Sequence, residues 1–271
     1  MNNTHNALPD VQLAPDADPE QYLKDMARKD NVLSVDDRFV LRDGQRHPFA
    51  VICPGGGYGI VCSFIEGVPY ARRLNEKGIS AFIVYYRVGE EARYPHPQED
   101  LGQAVKAILS KKDEYMLDAE HFSVWGSSAG GHLAASFGTD NMGYLSRKLP
   151  KPEAIVLAYP VVSMAREISE KGTHGNLLGE HPTREMEEET SVERHVTKDF
   201  PPTFIFCGLS DQAVKPENTH RLLAALRASD VPCDSFLVPG VDHGVGPATG
   251  TPAEGWIDGA VDFWMKQRAQ P

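Results

Sequence analysis

Two rhythms alternate along the chain. Short apolar runs stop at glycine or proline, and between them apolar residues return every three or four positions. The runs are Phe49 to Cys53, stopped by Pro54 and three glycines; Ile79 to Tyr86; and Phe122 to Trp125, stopped by Gly126. Ala154 to Ala158, Thr203 to Cys207 and Cys233 to Val238 follow, each closed by a turn signal. Nearly continuous apolar runs of this length are characteristic of strands covered on both faces. Leu101, Ala104, Val105, Ile108 and Leu109 repeat at the spacing of one buried helix face. Ile257, Ala260, Val261 and Trp264 repeat it near the end of the chain. Leu222, Leu223 and Leu226 follow Pro216, and proline is tolerated where a helix starts because its missing N–H has no partner there. Pro69 and Gly78 bracket a shorter helix, with Gly78 suited to a left-handed C-cap. Strands alternating with helices predict an α/β fold with a mostly parallel central sheet and helices on both faces.

Residues 163–200 break this rhythm. They are long, polar and acidic, with Glu185, Glu187, Glu188 and Glu189 close together. A solvated helix face accounts for the acidic cluster. The position between two strands adds the expectation of a lid-like insertion that walls a site above the strand ends. The whole chain, 1–271, reads as a single α/β domain preceded by a polar extension over 1–35.

Composition narrows the partners. The formal net charge is −11, and an acidic surface repels nucleic-acid phosphates and anionic lipid. No apolar run approaches the roughly 20 residues of a membrane helix. Met1 to Asp30 lacks the basic-then-apolar pattern of a signal peptide, so a cytoplasmic protein is expected. Cys53, Cys62, Cys207 and Cys233 fit no zinc or redox spacing and read as buried thiols. No metal or organic cofactor is expected.

Gly126-Ser127-Ser128-Ala129-Gly130 reads as G-x-S-x-G between a strand and a helix of small residues, His132 to Gly138. That is the context of a nucleophile elbow. The serine must sit on a tight strand-to-helix turn, so the residues two positions away on each side must be small. Ser127 is out of register with both glycines, which leaves Ser128 as the candidate nucleophile. A serine hydroxyl needs a base at neutral pH. His243, the last histidine, sits in a loop beyond the last strand-like run, and in this architecture nucleophile, acid and histidine follow in that order. Asp211, in the loop after Thr203 to Cys207, is the candidate acid. Asp242 is too close to His243 in sequence for good side-chain geometry. His132 is expected to pack, His220 to face solvent, and one of His174, His181 and His195 to reach substrate. Gly55-Gly56-Gly57 after the first core strand suits an oxyanion loop, because glycine lets the backbone approach an anion closely. It lacks both P-loop and dinucleotide-binding spacing.

Together these pieces resemble a known family. PGGGY at 54–58, EG at 66–67, YYR at 85–87, YPHPQED at 94–100, GSSAGGHLAA at 126–135, PPTF at 201–204, GLSDQAV at 208–214 and HGVG at 243–246 occur in its order. The chain looks like a small acetyl esterase of the α/β-hydrolase fold, in the branch related to hormone-sensitive lipase and bacterial acetylxylan esterases. The resemblance implies Gly56, Gly57 and Ala129 as oxyanion donors. Pro54 stands where related lipases carry histidine, which points away from lipase-like substrates. Asp100 is expected to cap the helix near Leu101, and Tyr58 to touch substrate. The implied activity is hydrolysis of short acyl esters, acetyl first, with acetylated sugars or xylan fragments as candidate substrates. Two alternatives stay open: an aryl-formamide or small-amide hydrolase on the same triad, and a non-catalytic binding protein of this fold.

Overall fold

The computed structural model describes residues 31–268. Most of the polar extension therefore lies outside the described residues, and its last positions already belong to a strand, β1 (Ser34–Phe39). Six further strands follow: β2 (His47–Cys53), β3 (Ser80–Tyr85), β4 (Leu117–Ser127), β5 (Ala154–Ala158), β6 (Thr203–Gly208) and β7 (Cys233–Val238). They form one sheet in the order β1-β3-β2-β4-β5-β6-β7. β1 pairs antiparallel with β3, and all other pairs are parallel. This is the α/β-hydrolase fold.

The helices are α1 (Ser63–Glu66), α2 (Val68–Glu76), α3 (His96–Ser110), α4 (Ser128–Ser136), α5 (Lys171–Leu178), α6 (Arg184–Thr190), α7 (Glu217–Ala228) and α8 (Trp256–Arg268). Strand residues alternate between the two sheet faces. Phe49, Val51 and Cys53 join a core beneath α3, α4 and α7, while Ala50 and Ile52 join a second core beneath α2 and α8. Both faces are thus covered, which is why the inner strands β2, β3, β5 and β6 carry few polar positions; β4 carries Asp118, Glu120 and His121 only in its partly exposed first half. β7 differs. Its residues alternate between exposed and half-buried, as fits an edge strand with one covered face, so the expectation of two covered faces fails there.

β1 was not anticipated. Its sequence, SVDDRF, is polar because it forms the opposite edge of the sheet. Asp100 is also corrected. The helix begins at His96, so Asp100 lies inside α3 and caps nothing. Its buried carboxylate accepts hydrogen bonds from the Arg87 guanidinium and from the Arg87 backbone N–H. No described helix is long and apolar enough to cross a membrane.

Candidate active site

β4 runs directly into α4, and Ser128 occupies the turn with a φ of 53°. A non-glycine residue in the left-handed region is strained. The flanking glycines allow it. A Cβ on Gly126 would lie 2.1 Å from the Gly130 oxygen, and one on Gly130 would lie 2.1 Å from the Cys53 oxygen. Neither position can carry a side chain without moving backbone. Ser127 points the other way, is fully buried and shares a hydrogen bond of 3.0 Å with the Tyr70 hydroxyl.

Three loops at the carboxyl ends of the strands converge on Ser128. Asp211, after β6, places Oδ2 2.7 Å from His243 Nδ1. His243, after β7, places Nε2 2.9 Å from Ser128 Oγ. The other Asp211 oxygen accepts the N–H groups of Ala213 and Val214. The carboxylate is therefore fixed on both sides, and its partner nitrogen carries the proton: Nδ1–H donates to Asp211 and Nε2 is left to accept from Ser128. Asp242 is exposed and accepts the N–H groups of Gln212 and His243 instead, as a turn residue.

The glycine loop passes over the serine. A Cβ on Gly55 would lie 2.8 Å from the Ser128 Cβ. Gly56 and Gly57 have φ of 122° and 63°, which require glycine. Their carbonyls are engaged elsewhere: Gly56 accepts from Gly59 and Ile60, and Gly57 accepts from the Asn176 side chain. Among the described residues no acceptor takes the N–H of Gly56 or Gly57. Both glycines line the same cavity as Ser128 and His243. Ala129 follows Ser128 in the first turn of α4, where an amide has no intrahelical acceptor. Such donors suit the oxygen of a tetrahedral intermediate.

The cavity has a volume of about 820 Å³, a size common for small-molecule sites. One wall comes from the segment after β5: Arg166, Glu167, Ser169, Glu170, Lys171 and Thr173. The opposite side adds Gln212 to Lys215, and α1 with its preceding loop contributes Cys62, Ile65 and Glu66. Glu170 also caps α5, accepting from Gly172 and Thr173; burial raises its carboxyl, but these bonds win and hold it below the ordinary range.

Several expectations need correction. Tyr58 does not reach the cavity. It is fully buried, packs its ring against Tyr86, and its hydroxyl lies 2.9 Å from His132 Nδ1. None of His174, His181 or His195 lines the cavity; His174 pairs with Glu187 and His195 with the Glu188 carbonyl. His132 packs as expected and does more. Burial pushes it down to about 4, so its ring is neutral. Nε2 faces the Thr190 carbonyl and must carry the proton, leaving Nδ1 to accept from Tyr58. Glu66 and Tyr159 were missed as site residues. Glu66 reads as half of a two-residue motif and Tyr159 as a strand terminator, and only folding brings them beside His243. Among the described residues no three His, Cys, Asp or Glu side chains gather as a metal site.

The BD-FAE family matches residues 42–226, about two-thirds of the sequence. The chain belongs to this family. Among curated relatives, the BD-FAE chain is 29% identical over 245 residues to endo-1,4-beta-xylanase B of Butyrivibrio fibrisolvens, covering 86% of this chain and 38% of that protein. It is 28% identical over 225 residues to an acetylxylan esterase of Xylanibacter ruminicola, covering 80% and 45% respectively. The chain thus spans less than half the length of these two relatives. Among solved structures, an acetyl ester-xyloside bifunctional hydrolase from Caldicellulosiruptor lactoaceticus is 30% identical, with a TM-score of 0.77 and coverage of 86% of this chain and 87% of that one. A carboxylesterase from Lactobacillus plantarum, 21% identical with a TM-score of 0.73 over 88% and 94% of the two chains, shares the fold.

Proposed function

We propose that this chain is a serine carboxylesterase of short acyl esters, acetyl first, acting on acetylated sugars or xylan fragments. The continuous line Asp211–His243–Ser128 at hydrogen-bond distances carries the reading. Ser128 Oγ attacks the acyl carbon while its proton passes to His243 Nε2. The carbonyl oxygen becomes the oxyanion and takes the N–H groups of Gly56, Gly57 and Ala129. As the C–O bond to the alcohol breaks, His243 returns the proton to the leaving oxygen. Water then enters, gives its proton to His243 and releases the acid, and Ser128 recovers its proton. Asp211 stays ionised throughout and stabilises the imidazolium.

The substrate class rests on two supports. The charged and hydroxyl-bearing wall from Arg166 to Thr173 suits a polar alcohol. One curated relative is named an acetylxylan esterase, and one structural neighbour an acetyl ester-xyloside bifunctional hydrolase. Segment 163–200 serves as a fixed wall rather than a swinging lid. Asn176 is bonded to Gly57, the Ser163 amide donates to Asn218, and the Val192 N–H donates to the Val162 carbonyl. The experiment is a panel of chromogenic acetyl esters, acetylated xylo-oligosaccharides and N-formyl anilides, alongside an organophosphonate probe of Ser128. Acetyl-ester turnover that the probe abolishes supports the reading. Preference for the anilides moves the assignment to amide hydrolysis, and no turnover with no labelling leaves only a binding role.

A further inference from the structure

The buried carboxylate of Glu66 lies at the centre of the site and takes no part in the steps above. It ends α1, is 4% exposed, and borders the cavity. Oε2 accepts the Gly55 N–H at 2.6 Å. Oε1 accepts the Tyr159 hydroxyl at 2.9 Å. That hydroxyl in turn accepts the Gly246 N–H at 3.1 Å, in the loop that carries His243. The Tyr159 ring meets the imidazole of His243 nearly edge-on, with centroids 4.8 Å apart. Tyr159 itself is held at a φ of 38°, a strained value for a non-glycine residue.

We propose that Glu66 is a positioning residue, resting on the esterase reading: through Gly55 on one side and Tyr159–Gly246 on the other, it sets the oxyanion loop at a fixed distance from the histidine loop. The two loops share no strand and come from opposite ends of the sequence. Without a common anchor their relative placement would drift, and the oxyanion donors and the base must act on the same reacting carbon. A misplacement of about 1 Å can cost on the order of 100-fold in rate. The same carboxylate puts negative charge near the imidazolium that forms during turnover. Burial holds the Glu66 carboxyl above the ordinary carboxylate range, a rise that the Gly55 N–H, the Tyr159 hydroxyl and the charge of His243 only partly offset. Both oxygens receive donors, the arrangement that serves the ionised form. Asp211, Glu170 and Asp242 also act on His243, and Arg166, Lys171 and Lys215 border the same cavity.

The test separates charge from reach. Glu66→Gln keeps the size and removes the charge; Glu66→Asp keeps the charge and shortens the reach. Each is measured by kcat and KM on a chromogenic acetyl ester, with active sites counted by organophosphonate titration and melting temperature recorded. For Glu66→Gln we expect kcat per titrated site to fall about 10- to 100-fold with KM changed less than about threefold, and the acid limb of kcat/KM to move to lower pH. For Glu66→Asp we expect kcat to fall similarly while the acid limb stays in place. Wild-type kcat per titrated site in both variants overturns the inference, even if both melt earlier, because a purely structural role predicts that pattern. Should Glu66→Gln fail to fold, an unchanged kcat in Glu66→Asp alone overturns it. A wild-type enzyme without ester turnover defeats the esterase reading instead, and this inference with it.

Discussion

Asp211 Oδ2 lies 2.7 Å from His243 Nδ1, although Asp242 is the immediate sequence neighbour of that histidine. Proximity along the chain is the poorer geometry, because Asp242 spends its carboxylate on the turn's own N–H groups. Asp211→Asn should therefore lower kcat by roughly 10⁴-fold, since an amide there holds the wrong imidazole tautomer. Asp242→Asn should change kcat less than about tenfold, because an amide oxygen still accepts those N–H groups. Steady-state kinetics on a chromogenic acetyl ester, run on both variants, checks the ranking; the reverse order refutes the assignment of the acid.

Ser128→Ala should abolish turnover and leave the melting temperature close to that of wild type, because alanine adds no atoms to a crowded turn. Ser127→Ala should keep most activity and lose a modest amount of stability, about 1 kcal/mol, since it removes one buried hydrogen bond to Tyr70. Gly130→Ala should behave differently from both. Its new Cβ would collide with the Cys53 and Pro54 backbone beneath the elbow, so a loss of several kcal/mol or failure to fold is expected. Circular dichroism, thermal melts and ester kinetics on the three proteins separate chemistry from packing. Turnover by Ser128→Ala would remove the nucleophile.

The candidate site was legible in the sequence where local chain geometry fixes it. Ser128, Asp211 and His243 each follow a run that reads as a strand, and the carboxyl ends of parallel strands meet on one edge of the sheet. The glycines were legible because close approach and positive φ leave few other residues possible. Side-chain direction was not. Tyr58 follows Gly56 and Gly57, which line the cavity, yet its own φ of 56° turns its ring into the core against Tyr86. Asp100 was misread because its partner, Arg87, sits on the preceding loop rather than on its own helix end. Glu66 reads in the sequence only as half of a motif, since nothing local reveals that Gly55 and Tyr159 will both come to it. β1 escaped because an edge strand needs no apolar alternation.

His132 makes stability depend on pH. Its ordinary value of 6.5 applies to the unfolded chain, and burial lowers it to about 4 in the folded protein. Between those values the unfolded chain binds a proton that the folded chain refuses, so stability falls as pH falls from about 6.5 to about 4. The loss from this one residue amounts to about 3 kcal/mol across the window. His132→Gln retains a donor and an acceptor without the titration. It should be less stable than wild type at pH 8 and should lose less of its stability on acidification. Denaturant midpoints at several pH values for both proteins check this; parallel curves would show that His132 does not titrate as argued.

Acyl length is decided by what surrounds Ser128. Octanoyl carries six more methylenes than acetyl, and each contributes about 0.8 kcal/mol only if it is taken out of water against apolar surface. The cavity offers Cys62, Ile65, Ala213 and Val214 as its apolar contacts, interleaved with Glu66, Arg166, Glu170, Lys171 and Gln212. Along such a wall a growing chain would strip water from charged groups without replacing their hydrogen bonds, a cost that offsets the methylene gain. Gly57 is held by Asn176, and the insertion is tied to the rest of the domain by the Ser163 amide donating to Asn218 and the Val192 N–H donating to the Val162 carbonyl, so the wall is pinned where a longer trench would have to open. Acetyl and propionyl esters should therefore show the highest kcat/KM, with octanoyl at least about tenfold lower. Measuring kcat/KM across a 4-nitrophenyl ester series checks this. A steady rise from acetyl to octanoyl would mean that an apolar channel exists where charged side chains now stand, and the short-acyl assignment would fall.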